Sequence, residues 1–317
     1  MPRTLLVYNP VAGRYPSRML TERAADVLEK SGWQVKIETA TDGSHIATLA
    51  RQAVRENLDS IIIVGGDGSL NKALPGLVGT DTALGVLPAG TANVWAKELG
   101  LPGLSWTRWD ALEESARRLV VGKVEWVDVG KCNDKFFLLW SGIGLDAFIV
   151  HRIEPRKQWE KNFTLVRYAA SAVWGASRWK GINLRVETAD VHLEGTFMLA
   201  EVSNIRLYAG GLATLSPEAS LNDGLMELWL FDGDNLEDVL QQAWSLWSGS
   251  HINSQRVKSL RFDQVILESD TPLYLQLDGE PELGGERVEI SVLHKAMKVL
   301  VPEQAPDSLF QIDHQVM

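Results

Sequence analysis

The sequence predicts an α/β amino-terminal domain on a parallel sheet, then a mainly antiparallel β-sandwich domain with inserted helices. Three observations predict it. From Thr4 to Leu99, short β-branched apolar runs alternate with helical stripes, the pattern of a parallel sheet with right-handed crossovers. From Lys123 on, strand patterns follow one another with only two helical interruptions. Loops rich in Gly, Asn and Pro leave the ends of the early strands, where ligands bind in such sheets. The division expected is 1–123 and 124–294, with the tail 295–317 returning to the first domain.

Thr4–Tyr8 reads as a strand, followed by the loop Asn9-Pro10-Val11-Ala12-Gly13-Arg14. Leu20, Ala24, Val27 and Leu28 form a helical stripe, and Trp33–Glu38 alternates as a strand. Asp42-Gly43-Ser44 precedes a helix with Ile46, Leu49, Ala50, Ala53 and Val54 on one face. The apolar run Ile61–Val64 is a buried strand. Leu70, Ala73, Leu74, Leu77 and Val78 keep helical spacing, with Pro75-Gly76 expected to kink or shorten that helix. Ala83–Leu87 is a strand, Pro88–Asn93 a small-residue loop, and a helix passes through Val94, Trp95 and Leu99.

In the second half, Lys123–Cys132 and Lys135–Trp140 read as a hairpin turning at Asn133-Asp134. Further β patterns cover Ile182–Thr188, Thr196–Asn204, Leu225–Phe231, Leu260–Leu267, Leu273–Leu277 and Arg287–Leu293. Helical patterns cover Trp159–Trp179 and Leu236–Trp247.

The most informative stretch is Gly65-Gly66-Asp67-Gly68-Ser69-Leu70-Asn71, where the Ile61–Val64 run stops. Glycines here turn the chain tightly, with positive φ expected at Gly66, and leave N–H groups uncovered. Successive uncovered N–H groups and a following helix N-terminus make an anion site. Phosphate is the obvious guest. Asp67 in an anion site calls for a divalent cation or a hydroxyl beside it, which points to Mg-nucleotide phosphoryl transfer. On these residues alone a simple strand-to-helix turn is the competing reading.

Composition narrows the field. The formal net charge of −10 argues against a nucleic-acid surface. The single Cys132 excludes an intramolecular disulfide and a multi-cysteine zinc site, and fits a reducing cytoplasm. Met1-Pro2-Arg3-Thr4 leads straight into a strand pattern, with no signal peptide expected. No uncharged run reaches the roughly 20 residues that span a bilayer. The six histidines show no metal-ligand spacing. Gly142-x-Gly144-x-x-Ala147 mimics a dinucleotide fingerprint, but it lies in the β-rich half with no βαβ unit after it.

Six motifs, in order, resemble the diacylglycerol kinase and sphingosine kinase catalytic family, in its bacterial lipid kinase branch. They are Asn9-Pro10-x-x-Gly13, the Gly65–Asn71 loop, Pro88-x-Gly90-Thr91-x-Asn93, Gly142–Ala147, the block from Ser203 through Tyr208 and Gly211 to Asp223-Gly224, and Asp278-Gly279-Glu280. The match runs over nearly the whole chain. Departures are Ser69 for the usual Thr, Lys72 for the usual glutamate and Val94 for a frequent aspartate.

The resemblance implies an NAD kinase/phosphofructokinase-like first domain and an ATP-dependent lipid kinase acting on a primary hydroxyl, such as that of diacylglycerol, in an interdomain cleft. It implies a nucleotide site from Asn9, Thr39, Gly65, Gly66, Asp67, Gly68, Ser69, Leu70, Asn71, Gly90 and Thr91. Asp67 would stand near Mg²⁺ and the transferred group, Asp278 would be the general base, and Glu280 would support Mg²⁺ or nucleotide. Without the family, Asp278-Gly279 reads as a β-turn. Asp146 would orient the acceptor hydroxyl, its alternative being a helix N-cap. Asp223 and the Leu225 carbonyl would hold a structural Mg²⁺, the alternative being a plain turn. An NAD kinase-like enzyme shares the glycine-aspartate loop, and a catalytically silent lipid-binding protein has Lys72 as its one support.

The stretch 151–185 carries eight Lys or Arg against Glu154 and Glu160, with Trp159, Phe163, Val166, Tyr168, Val173, Trp174 and Trp179 through it. An amphipathic membrane-surface helix and an ordinary core-packing helix both fit this pattern, and core packing is the commoner case. The partners expected are a lipid substrate, transient membrane contact and no nucleic acid; a homodimer is left open.

Overall fold

A computed structural model describes residues 1–12, 18–153 and 179–311. Gly13 and Arg14 of the first loop, and the stripe from Trp159 to Trp174, lie outside the described residues. The chain forms two compact units: Met1–Val129 with Leu221–Asp223 and His294–Met317, and Gly130–Ser220 with Gly224–Leu293.

The first unit alternates strand and helix: β1 (Arg3–Tyr8), α1 (Arg18–Lys30), β2 (Gln34–Thr39), α2 (Gly43–Arg55), β3 (Ser60–Gly65), α3 (Asp67–Leu77), β4 (Ala83–Pro88), α4 (Val94–Glu98) and α5 (Ala111–Val120). The strands pair in parallel in the order β4-β3-β1-β2. β3 and β4 are buried along their whole length, which is why they read as unbroken apolar runs. Helices bury one stripe each, as α1 does with Leu20, Ala24, Ala25 and Leu28. Asp42 caps α2 by accepting the His45 N–H at 3.0 Å. Hydrogen bonds from Ser44, His45 and Thr41 hold its carboxyl at about 2.

Pro75 lies inside α3, and the helix ends two residues later at Leu77, short of the Val78 that the stripe had included. Helix α5 was not anticipated, although Leu112, Ala116 and Leu119 give it a buried stripe. The carboxyl-terminal segment is tied in by polar contacts. Buried Asp128 accepts the Lys295 N–H at 2.6 Å and contacts His294 Nδ1 at 2.9 Å. Asn222 Oδ1 accepts the Gln311 N–H at 2.8 Å.

The second unit is antiparallel. β5 (Lys123–Cys132) runs into it and pairs with β6 (Lys135–Phe137), with Cys132 opposite Lys135. The turn uses Asn133 at φ +50°, the hairpin read from Asn-Asp. β7 (Trp140–Gly144) is a separate strand rather than part of that hairpin, and α6 (Leu145–Ile153) follows it. Next come β8 (Ile182–Glu187), β9 (His192–Ser203), β10 (Leu207–Tyr208), β11 (Ala213–Thr214), β12 (Met226–Asp232), α7 (Leu236–Ser248), β13 (Val257–Phe262), β14 (Gln264–Leu277) and β15 (Glu280–Val301).

The expected strand Leu260–Leu267 divides at Asp263, because its two halves pair with different neighbours, β12 and β15. Leu273–Leu277 joins the second half as one long β14, with the register shifting between Glu268 and Leu273. β7 and β8 lie end to end between β9 and β14. β7 ends at Gly144 and β8 begins at Ile182. Alternate residues of these strands fill one core with Ile143, Leu184, Phe197, Val202, Leu228, Val265 and Ile290. Cys132 joins that core, and burial pushes its thiol up to about 12. The far end of β15 returns to the first unit, where Val299 pairs in parallel with Leu84 of β4.

Candidate active site

In the first unit the strand order reverses at β1, since β2 lies on one side of it and β3 on the other. A ligand crevice opens at such a reversal, beyond the carboxyl ends of the strands. Asn9 leaves β1 there and the glycine loop leaves β3. The structure ties them together: Asn9 Nδ2 donates to Ser69 Oγ at 2.8 Å, and the Asn9 N–H donates to the Val64 carbonyl at 3.2 Å. The loop after β4 closes from the other side. The Ala89 and Gly90 N–H groups donate to the Gly65 carbonyl at 3.0 and 3.2 Å, and Asn93, at φ +52°, closes its own loop onto Gly90.

The reason for glycine is proximity rather than dihedral freedom. Gly66 has φ −112°, so positive φ is not what selects it. A Cβ on Gly66 would stand 2.9 Å from the Gly90 Cα, and one on Gly90 would stand 2.4 Å from the Gly66 Cα. The two loops touch backbone to backbone, and only glycine permits that at both positions. Helix α3 then starts at Asp67, with the Ser69 N–H donating to the Gly66 carbonyl at 2.8 Å, and puts the positive end of its dipole next to these loops.

Asp67 itself turns away from an anion. Its Oδ2 accepts the Val94 N–H and its Oδ1 the Trp95 N–H, both at 3.0 Å. It braces the first turn of α4. Burial pushes this carboxyl above its ordinary range, and the two amide hydrogen bonds oppose that push. Leu70 is a core side chain, 2% exposed. Thr39 and Thr91 are exposed at the carboxyl ends of β2 and β4, and Gly68 and Asn71 are partly exposed on α3. The Lys72 stem lies alongside Gly43 at the start of α2, 3.2 Å from where a Cβ would be.

In the second unit Asp278-Gly279 is a two-residue hairpin turn between β14 and β15, with Leu277 opposite Glu280. Its φ values of +51° and +84° are those of the turn type that Asp-Gly favours. The Asp278 carboxylate points inward and is 7% exposed. It accepts N–H groups from Leu138 at 2.9 Å, Leu139 at 2.8 Å and Trp140 at 3.1 Å. The carboxylate expected to act as general base is thus also the group that holds the Leu138–Trp140 backbone against the turn. Glu280, first residue of β15, is partly exposed.

Asp146 lies in the first turn of α6 and is 8% exposed. Its Oδ2 accepts from Gln276 Nε2 at 3.1 Å. The same nitrogen donates to Glu201 Oε1 at 3.2 Å, and Glu201 is fully buried. Burial first, then the charge of Asp146, push the Glu201 carboxyl well above its ordinary range, against a hydrogen bond from Tyr208.

Asp223 accepts from Gln311 Nε2 at 3.3 Å, and Leu225 is partly exposed. Among the described residues no three His, Cys, Asp or Glu gather as a metal shell. No described helix is long and apolar enough to cross a membrane. Of the aromatic stripe, Trp179 is described and packs inward: its Nε1 donates to the Met198 carbonyl at 2.9 Å, and its ring meets Phe148 at 5.3 Å.

Comparison with known proteins decides the family. The diacylglycerol kinase catalytic domain matches residues 3–132, and the YegS C-terminal NAD kinase beta sandwich-like domain matches residues 141–301. The chain belongs to the bacterial diacylglycerol and lipid kinase family. A diacylglycerol kinase of Bacillus subtilis (strain 168) is 26% identical over 317 residues, covering 98% of this chain and 99% of that one. A diacylglycerol kinase of Mycobacterium tuberculosis (strain CDC 1551 / Oshkosh) is 28% identical, with 93% of each chain covered. A probable lipid kinase YegS-like protein of Enterobacter sp. (strain 638) is 26% identical, covering 96% and 98%. The crystal structure of a diacylglycerol kinase from Bacillus anthracis str. Sterne shares the fold, with TM-score 0.73, 18% identity and coverage of 96% and 98%.

For this lipid kinase, sequence reasoning picked out Asp146 but missed its partners. Glu201 and Gln276 stand in ordinary strand patterns, and nothing local marks them. Their signal lies in the pairing of strands: Gly142 of β7 is opposite Gln276 of β14 on one side and Glu201 of β9 on the other.

Proposed function

We propose that the protein transfers the γ-phosphoryl group of ATP to the primary hydroxyl of diacylglycerol or a closely related glycerolipid. The observation that carries the donor half is the junction of three strand-end loops, made by the Asn9–Ser69 hydrogen bond and the Gly66–Gly90 contact. Backbone N–H groups at the start of α3 bind the donor phosphates, with Thr39, Gly68, Asn71 and Thr91 at the rim. Mg²⁺ enters this reading as the ion that would accompany the donor phosphates and offset their charge.

In the second unit Glu280 accepts the acceptor's proton. Asp278 keeps the turn closed, and Asp146 faces the acceptor hydroxyl. The lipid oxygen forms the new P–O bond, the bond to the β–γ bridging oxygen breaks, ADP leaves, and Glu280 holds the released proton. The enzyme works from the cytoplasm and meets its substrate at the membrane surface. Whether residues 151–185 touch lipid belongs to the same reading.

The test is incubation with γ-labelled ATP and vesicles containing diacylglycerol, with a total lipid extract in parallel. Label in phosphatidic acid supports the reading. Label only in another lipid reassigns the acceptor, label only in NAD added as a competitor favours a small-molecule kinase, and no label in a protein that still binds vesicles favours a silent lipid-binding protein.

A further inference from the structure

Gln276, Gly142 and Glu201 stand side by side on three neighbouring strands, in register. Gly142 occupies the middle strand and has no side chain. The side chains on either side therefore reach across it and meet. A Cβ on Gly142 would lie 2.6 Å from Gln276 Nε2, 2.7 Å from Glu201 Oε2 and 2.8 Å from Asp146 Oδ2. Asp146 enters this space from α6, and the Tyr208 hydroxyl reaches Glu201 Oε2 at 3.4 Å from β10. Of these titratable groups, Asp146 and Glu201 meet the amide, and Tyr208 meets Glu201.

Gln276 is 1% exposed, and its amide orientation is dictated by its neighbours. The Gly279 N–H donates to Oε1 at 2.7 Å, so Oε1 must face the turn. Nε2 then presents its two hydrogens to the two carboxyl groups, at 3.1 and 3.2 Å. One end of a single buried amide holds the turn that carries Glu280. The other end holds the carboxyl pair that includes Asp146.

We propose that Gln276 is a positioning residue for phosphoryl transfer, fixing the Asp278-Gly279 turn and Asp146 relative to each other through its two-ended side-chain amide. The proposal rests on the reading that Glu280 and Asp146 serve the acceptor. A small misplacement of either is costly, since about 1 Å can lower turnover by about 10²-fold. Burial and the neighbouring Asp146 push the Glu201 carboxyl well above its ordinary range, which favours its neutral form beside a second acid and the amide.

Two variants separate positioning from mere packing. Gln276→Leu removes both ends of the link. Gln276→Glu keeps an acceptor for the Gly279 N–H but places oxygen where the donor faced two carboxyls, and regains a donor only when it is protonated. Two measurements are made on each. Hydrogen exchange of the Gly279 amide, which needs no substrate, should accelerate at least about tenfold in Gln276→Leu and stay slow in Gln276→Glu. Turnover with saturating ATP and diacylglycerol vesicles should fall about 10²-fold in Gln276→Leu at every pH, with the KM for ATP unchanged. In Gln276→Glu it should recover as pH falls, shifting the pH profile to the acid side of the parent's. Parent-like exchange at Gly279 in a folded Gln276→Leu protein overturns the proposal whatever the activity. So does a Gln276→Glu profile that follows the parent's. If the parent itself phosphorylates no lipid, the assigned function fails, and the exchange data still decide whether the amide locks the turn.

Discussion

The glycine loop of the first unit and the Asp-Gly turn of the second are built alike around one aspartate each, yet they use it differently. Asp67 opens a helix and braces the start of a neighbouring short helix through Val94 and Trp95. Asp278 sits at positive φ in a hairpin and braces the strand entry Leu138–Trp140 with three hydrogen bonds. Both carboxylates accept backbone N–H groups. The first sits where burial dominates and its carboxyl is pushed up. The comparison teaches that the two acids most conspicuous in the sequence both hold backbone in place, and the proposed function assigns the chemistry to what those loops present: the start of α3 in one unit and Glu280 in the other.

The largest effect expected from this contrast is at Glu280. Glu280→Gln should lower turnover by about 10²–10⁴-fold, the usual weight of a general base, while ATP affinity measured by calorimetry stays that of the parent. Survival of near-parent turnover on diacylglycerol would remove Glu280 from the mechanism.

A smaller effect tests the loop junction of the first unit. Gly90→Ala puts a methyl 2.4 Å from the Gly66 Cα, and backbone must move to admit it. ATP affinity should fall by at least tenfold, about 1.4 kcal/mol, in a protein that remains folded by circular dichroism. Unchanged affinity would show that the Gly66–Gly90 contact does not shape the nucleotide site.

The smallest effect is a slope. Glu201 keeps its proton in the folded state to higher pH than its ordinary value of 4.5. Between the unfolded and folded values the native state binds more protons, so stability falls as pH rises through that window. Glu201→Gln has nothing to titrate and should lose this decline. Urea unfolding of parent and variant from about pH 5 to about pH 8 should show a gap that moves in the variant's favour as pH rises, by at most about 1.4 kcal/mol per pH unit. A constant gap would mean that Glu201 is ionised throughout.

Much of this was legible in the sequence because it is local. The β–loop–α rhythm, the Ile61–Val64 strand, the Asn133-Asp134 hairpin and the three strand-end loops are each encoded within a few residues. Gly66 was recognised for the wrong reason, since the contact that requires it is with Gly90, 24 positions on. Pairing across strands was not legible. The meeting of Gln276 and Glu201 over Gly142 depends on register, which no single strand specifies. A turn aspartate and a catalytic aspartate look the same in sequence, and the three N–H donors around the Asp278 carboxylate are visible only in the structure.

The most direct test of the central claim is to measure stability and turnover on the same preparation of Asp278→Asn. The new amide nitrogen would set a donor against the Leu138, Leu139 and Trp140 N–H groups. If Asp278 is a brace, the variant should lose about 2–3 kcal/mol of unfolding free energy, and turnover should fall with it. An Asp278→Asn protein as stable as the parent, with turnover alone reduced by orders of magnitude, would contradict the account and return Asp278 to the role of base.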